Sequence, residues 1–196
     1  WKIYMPYFEG ETSYHTLLDS DPVGRTTKVT HADSSRELAC YNAKLGVTVT
    51  IDGENHRKRE TRDAFGRLTK VEEYTGTYTT CDTNVGTPYA TTTYTYDVLG
   101  NLRYVYDANG NRTEMRYDSL GRKYWMRDLD MGNWSYGHDA NGNLVSQTDA
   151  KQQTIGFVYD PLNRITLKDY PSGTDVTFTY DETTSTNGIG RLTTMN

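Results

Sequence analysis

Aspartate is the residue type in this sequence best placed to do chemistry, and it recurs by rule. Asp97, Asp118, Asp139, Asp160 and Asp181 are each 21 residues apart, and Asp107, Asp128 and Asp149 form a second series offset by 10. Carboxylates at fixed spacing could serve as acids and bases or as ligands for Ca²⁺. Acid–base work needs a group within hydrogen-bond reach of the proton it moves. Calcium needs about six to eight oxygens converging at roughly 2.3–2.6 Å. Here each period supplies one regular carboxylate, and the nonapeptide of calcium-binding β-rolls is absent. The four histidines, His15, His31, His56 and His138, show no metal-ligand spacing. No Gly-x-Ser-x-Gly, P-loop or dinucleotide fingerprint occurs. The carboxylates are therefore read as structural. No catalytic residue, metal or cofactor is expected, and the chain is not expected to be an enzyme.

The neighbours of each aspartate say what structure it serves. The units read Tyr96-Asp97-Val98-Leu99-Gly100-Asn101, Tyr106-Asp107-Ala108-Asn109-Gly110-Asn111 and Tyr117-Asp118-Ser119-Leu120-Gly121-Arg122. His138-Asp139-Ala140-Asn141-Gly142-Asn143 follows, with His138 in the tyrosine slot, then Tyr159-Asp160-Pro161-Leu162-Asn163-Arg164 and Tyr180-Asp181. Asp-x-x-Gly is a tight-turn sequence. The carboxylate accepts the turn's own N–H groups, and Gly takes the positive φ that other residues resist. A type I turn followed by a left-handed residue is a common hairpin connection. The roughly six residues between motifs are then strands about 20 Å long. The motif tyrosines, aspartates and glycines are expected to be structural elements of the repeat.

The intervening segments alternate as strands should. Thr92, Tyr94 and Tyr96 share a face, as do Thr113, Met115 and Tyr117, then Trp134, Tyr136 and His138, and Val176, Phe178 and Tyr180. The other face is mostly polar. A 21-residue strand–turn–strand–turn repeat predicts a long antiparallel strip of roughly sixteen strands. Such a strip twists and curls, because a lone layer cannot bury both faces. The fold class is all-β.

Taken in order, residues 1–19 are expected to hold leading strands, given Trp1, Ile3, Tyr4, Tyr7 and Phe8. Residues 20–73 carry repeats, with Asp21, Asn42 and Asp63 on one clock and His31 and Asp52 on the other. Residues 74–95 read as an insertion or long loop, because Asp63 and Asp97 lie one period plus 13 residues apart. Residues 96–196 carry repeats again, cleanest over 96–181. An extra residue in the turn at 128–133 predicts a local bulge. Asn163 replaces Gly and tolerates the left-handed region, and the turn after Asp181 is expanded.

The 196 residues carry a formal charge of −5, with 17 Tyr against 4 Phe, and a mean hydropathy of −0.80. Aromatics with polar tips suit half-wet surfaces. The acidity argues against nucleic-acid binding, and no apolar run is long enough to span a membrane. The basic cluster His56-Arg57-Lys58-Arg59 reads as a solvated strand face. Cys40 and Cys81 permit one bridge, with two free thiols the favoured state. Trp1 at the start, and Asn196 five residues past Gly190-Arg191, suggest a piece of a longer polypeptide.

At the Tyr-Asp-x-x-Gly-Asn-Leu and Tyr-Asp-x-Leu-Gly-Arg units, with their 10/11 alternation, the chain resembles the Rhs/YD-repeat family over about residues 20–195. Residues 126–131 and 159–171 look especially like the shell-forming B component of bacterial Tc toxins, which is related to Rhs polymorphic toxins and teneurins. The resemblance implies a β-strip wound into a hollow shell around a C-terminal toxin polypeptide. It also implies secretion or cell-surface display, and contacts with neighbouring repeats and other toxin-complex subunits. No stretch matches that family's autoproteolytic core, so no catalytic residue is carried over. The alternative function is a cell-surface adhesin repeat that binds glycans or proteins through its aromatic face.

Overall fold

The computed structural model describes residues 2–4, 15–81, 86–183 and 187–196. It is all-β, with seventeen strands and a single 3₁₀ turn, Ala43–Leu45, among the described residues. Of the leading segment it describes Lys2–Tyr4 and His15–Ser20; the strand expected around Tyr7 and Phe8 lies outside the described residues. The first eight strands are β1 (Lys2–Tyr4), β2 (His15–Ser20), β3 (Thr26–Thr30), β4 (Arg36–Asn42), β5 (Val47–Ile51), β6 (Arg57–Arg62), β7 (Leu68–Tyr74) and β8 (Ala90–Tyr96). Then come β9 (Leu102–Tyr106), β10 (Arg112–Tyr117), β11 (Lys123–Asp128), β12 (Gly132–His138), β13 (Leu144–Thr148), β14 (Thr154–Tyr159), β15 (Ile165–Asp169), β16 (Val176–Tyr180) and β17 (Leu192–Met195).

The chain forms two compact units, one of Trp1–Thr95 with Val105–Asn111, the other of Tyr96–Tyr104 with Arg112–Asn196. In the first, β1 to β8 pair antiparallel in chain order. In the second, β10 to β17 do the same. Each strand therefore bonds its sequence neighbours, which is the ladder that a run of hairpins dictates.

The core lies in the first unit. Cys40 pairs with Val49 and Leu38 with Ile51; Val49 pairs with Arg59 and Ile51 with Arg57; Arg57 pairs with Tyr74 and Arg59 with Glu72. Directly opposed residues share a face, so these side chains form one surface. Residues 75–81, which follow β7, return across it. The Tyr78 N–H donates to the Asn55 carbonyl at 2.9 Å, the Tyr78 ring meets Tyr74 edge-on at 6.5 Å, and Cys81 is bonded to Cys40. Val47, Val49, Ile51 and Tyr74 are buried in this unit, removing apolar area from water at about 25 cal/mol per Å².

Two expectations fail here, for one reason. The cysteines form a disulfide, with Cα atoms 6.1 Å apart, and are not free thiols. The basic cluster is not uniformly solvated either. His56 and Lys58 point to water, but Arg57 is only 2% exposed. The period of 2 turns Arg57 onto the covered face, where its guanidinium lies 5.1 Å from the Tyr74 ring and 5.5 Å from Tyr78. A weakly hydrated planar cation suits such a site. Beside it Glu72, also buried, takes Lys70 Nζ at 3.0 Å and faces Arg59 Nε at 3.7 Å.

The second unit is thinner. Met115, Met126 and Trp134 are opposed across β10–β12, and Phe157, Lys168 and Val176 across β14–β16. These side chains are half-buried, as expected of an apolar face without a second layer over it. Among the described side chains of this unit, Glu114 alone is buried. Its charge is matched by Arg112 at 3.2 Å and Arg116 at 3.0 Å, and Arg116 lies 4.5 Å from the Trp125 ring. Pairing of this kind is what lets a carboxylate stay buried. The bulge expected at 128–133 is absent. β11 and β12 pair without a shift to Asp128 and Gly132 and close on three residues. Register shifts fall instead just before six other turns, at Ser20, Arg62, Tyr117, His138, Tyr159 and Tyr180.

Reducing the bridge, or replacing Cys40 and Cys81 by Ser, should cost the first unit about 2–4 kcal/mol. Hydrogen exchange should quicken across β4–β7 while β12–β16 keep their protection. Equal loss in both units would show that the bridge does not act locally.

Candidate functional site

The site is the aspartate turn, repeated along the chain. At Asp118 the backbone N–H donates to the Arg122 carbonyl at 3.0 Å, and the Gly121 N–H donates to the Asp118 carbonyl at 3.0 Å. One carboxylate oxygen accepts the N–H groups of Leu120 at 3.0 Å and Arg122 at 2.9 Å. The other accepts Arg122 Nε at 2.7 Å. Asp21, Asp63 and Asp160 repeat this with Arg25, Arg67 and Arg164. Asp97, Asp107 and Asp139 repeat it with the Asn101, Asn111 and Asn143 side-chain amides at 3.0, 2.8 and 2.9 Å. The chain closes through a residue at positive φ: Gly121 at 77°, Gly142 at 91°, Asn163 at 59°. Asp181 departs from the pattern. It has positive φ itself and accepts the Gly190 N–H at 2.6 Å.

These bonds hold the carboxyls below the ordinary carboxylate pKa. At Asp97, Asp107 and Asp139 the leading cause is the amide side chain four residues on. At Asp118 and Asp160 it is the backbone N–H of the arginine four residues on. An ionised carboxylate whose oxygens already accept two or three donors is a poor proton-transfer group at neutral pH. Among the described residues no group of three or more His, Cys, Asp or Glu is placed to hold a metal ion.

The turns are also tied to one another. Arg122 Nη1 donates to the Asp139 carbonyl at 2.8 Å, Asn143 Nδ2 to Asn163 Oδ1 at 2.8 Å, and Arg164 Nη2 to Asp181 Oδ2 at 2.7 Å. Arg164 is raised above its usual pKa, first by Asp181 and then by Asp160. The tyrosines add a second tie. Tyr159 Oη donates to the Leu144 carbonyl at 2.9 Å and Tyr41 Oη to the Thr26 carbonyl at 3.0 Å, each reaching one hairpin back. Arg25 lies over the Tyr41 ring at 4.2 Å and Arg164 over Tyr180 at 4.4 Å. Tyr96, Tyr106, Tyr117, Tyr159 and Tyr180 each end a strand and are half-buried. The sequence reading assigned no role to position i+4, although its recurrence as Arg or Asn was visible. A cavity of about 1090 Å³ opens in the first unit, lined in part by Tyr41, Ile51, Arg57, Tyr74 and Tyr89.

Residues 138–175 match the family model described as RHS Repeat. The fold is shared with solved Tc toxin structures. A crystal structure of TcdB2-TccC3-TEV superposes with a TM-score of 0.67 at 17% identity, over 92% of this chain and 10% of that one. One of TcdB2-TccC3-Cdc42 gives 0.63 at 18%, over 86% and 9%. A Photorhabdus luminescens Tc holotoxin pore carrying a mutant TccC3 gives 0.61 at 18%, over 85% and 9%. The chain thus spans about a tenth of the length of the chains it matches. No curated protein matches it in sequence. The resemblance read from the repeat motifs is thereby supported from two sides, a repeat model and a shared fold.

The glycines should matter more than the tyrosine hydroxyls. At Gly142 an added Cβ would meet nothing within 4 Å, so Gly142→Val costs backbone strain alone, about 1–3 kcal/mol. Tyr159→Phe loses one neutral hydrogen bond, about 0.5–1.5 kcal/mol. Urea melts in which Tyr159→Phe is the more damaging would show that the turn is not the governing element. Acid supplies a second check. Folded pKa values below the unfolded value of about 3.9 give stability that is present above that pH and lost as pH falls through the folded values. Melting temperature should drop between pH 5 and pH 3, and the drop should shrink when Asp97, Asp118 and Asp139 are all changed to Asn.

Proposed function

We propose that this segment is part of the wall of an Rhs/Tc-type toxin shell that encloses a C-terminal toxin polypeptide, and that it performs no catalysis. The observation that carries the reading is the spending of each period's reactive groups on the repeat itself. The carboxylates accept N–H groups of their own turns, and the residues at i+4 reach on to the next turn. A chain so built extends by adding hairpins and needs no active centre. The motif tyrosines, aspartates and glycines are accordingly assigned structural roles. Residues 20–73 and 96–196 are assigned to repeat arrays, and 74–95 to the insertion between them.

The partners in this reading are neighbouring repeats of the parent chain, the enclosed toxin polypeptide and other subunits of a toxin complex. The fold likeness to the TcdB2-TccC3 structures supports them. The Cys40–Cys81 bridge suits an oxidising compartment, which supports secretion or display at a bacterial surface. Among the described residues no helix is long and apolar enough to cross a membrane.

In the parent protein, deleting residues 97–180 removes four periods of 21 and joins Tyr96 to Asp181 in register. The shell should then admit protease to its cargo, while the cargo's own activity survives. A cargo that stays protected after the deletion, or turnover of any substrate by this segment alone, would overturn the reading.

A further inference from the structure

Residues 75–81 form a strap whose two ends are held differently. At the near end Tyr74 closes β7, and Gly76 follows with φ 116°, a backbone value that glycine adopts freely and that suits a pivot. Tyr78 Oη donates to the Thr75 carbonyl at 3.0 Å, which folds the strap on itself. At the far end Cys81 is bonded to Cys40 of β4. Between the two, the Tyr78 N–H donates to the Asn55 carbonyl at 2.9 Å. The Tyr78 ring meets Tyr74 edge-on and lies 5.5 Å from the Arg57 guanidinium.

The groups against the strap pull in opposite directions. Tyr74 is 5% exposed and Arg57 2%. Covering the tyrosine is favourable, whereas covering the cation takes a guanidinium out of water. A backbone hydrogen bond and ring contacts are individually weak against that cost and against the entropy of ordering the strap. The covalent bond supplies the remaining bias, because it keeps the strap's far end at the sheet as any tether does. That bond is within reach of solvent: Cys40 is exposed and Cys81 half-buried. Exposed disulfides are the labile ones.

We propose that the Cys40–Cys81 bond is a redox latch. A thiol reductant opens it without denaturant, the strap swings away about Gly76, and Arg57 emerges into water while the sheet stays intact. With a dithiol, a thiolate attacks the Cys40 sulfur, the disulfide breaks, and Cys81 leaves as a thiolate. The second thiolate of the reductant then attacks its own sulfur in the mixed disulfide and releases Cys40. Two electrons pass to the protein, both cysteines take up the protons that the dithiol gives up, and the dithiol ends as a cyclic disulfide. Oxidised glutathione reverses the exchange. Thr75, Gly76 and Thr77 line the cavity of about 1090 Å³ together with Arg57, so release of the strap removes one of its walls. The latch goes beyond the shell reading and does not depend on it.

The test is phenylglyoxal labelling of arginines in the full chain, read by peptide mass spectrometry before and after dithiothreitol. Arg57 should be protected in the oxidised chain, and should label about tenfold faster or more once both thiols react with iodoacetamide. Arg36, exposed on β4, should label at the same rate in both states, and far-UV circular dichroism should keep its sheet signal. Oxidised glutathione should restore protection. Tyr78→Ala with the bond intact should label Arg57 without reductant, which identifies the ring as the cover. A bond that dithiothreitol opens only in denaturant overturns the proposal. So does an Arg57 that stays protected with both thiols free or in Tyr78→Ala, or one that already labels as fast as Arg36 in the oxidised chain. Loss of the sheet signal on reduction overturns it too, since the bond is then a staple of the fold and not a latch. None of these outcomes bears on what the parent shell encloses.

Discussion

Everything in this chain hangs on an aspartate accepting the N–H groups two and four residues ahead of it. That pair of bonds bends the backbone through a tight turn and fixes where the next strand begins. It also leaves the second carboxylate oxygen free to orient the residue at i+4. Because that residue reaches the following turn, the same local geometry that makes one hairpin also sets its distance from the next. A single residue type thus governs both the element and its stacking.

A protein organised in this way is nearly one-dimensional. Within each unit the described strands bond their neighbours in sequence, so stability there is close to a sum of hairpin terms and nearest-neighbour terms. The second unit follows this plan, with a half-buried face and one buried carboxylate held by flanking arginines. The first unit breaks it. There a return segment lies over part of the sheet through Tyr78 and Cys81, and the buried apolar side chains among the described residues are all in that unit.

That contrast explains what could be read from the sequence. Turn positions, strand alternation and the all-β class follow from spacing within a period, and spacing is written in the chain. The burial of Arg57 is not, because it depends on Tyr78 and Cys81 coming back from 21 and 24 residues further on. Two hints were present: Val47, Val49 and Ile51 make an unbroken apolar row, and one cysteine sits inside the insertion. Both needed a tertiary contact to give them meaning. The aspartates were legible as turn residues, whereas the ties between turns through Arg122, Asn143 and Arg164 were not, since they depend on the distance between hairpins and not on the period of one.

The Cys40–Cys81 bond also decides how the chain responds to being pulled. The second unit, zipped between sequence neighbours, can be peeled from an end one hairpin at a time. The bridge closes a loop with a sequence separation of 41, and that loop cannot lengthen under tension while the bond is intact. About 140 Å of contour stays hidden from the force. Nor can a polypeptide carrying a closed covalent loop pass single file through a pore sized for an extended strand. Any machine that threads this chain must first deliver an electron pair to those two sulfurs.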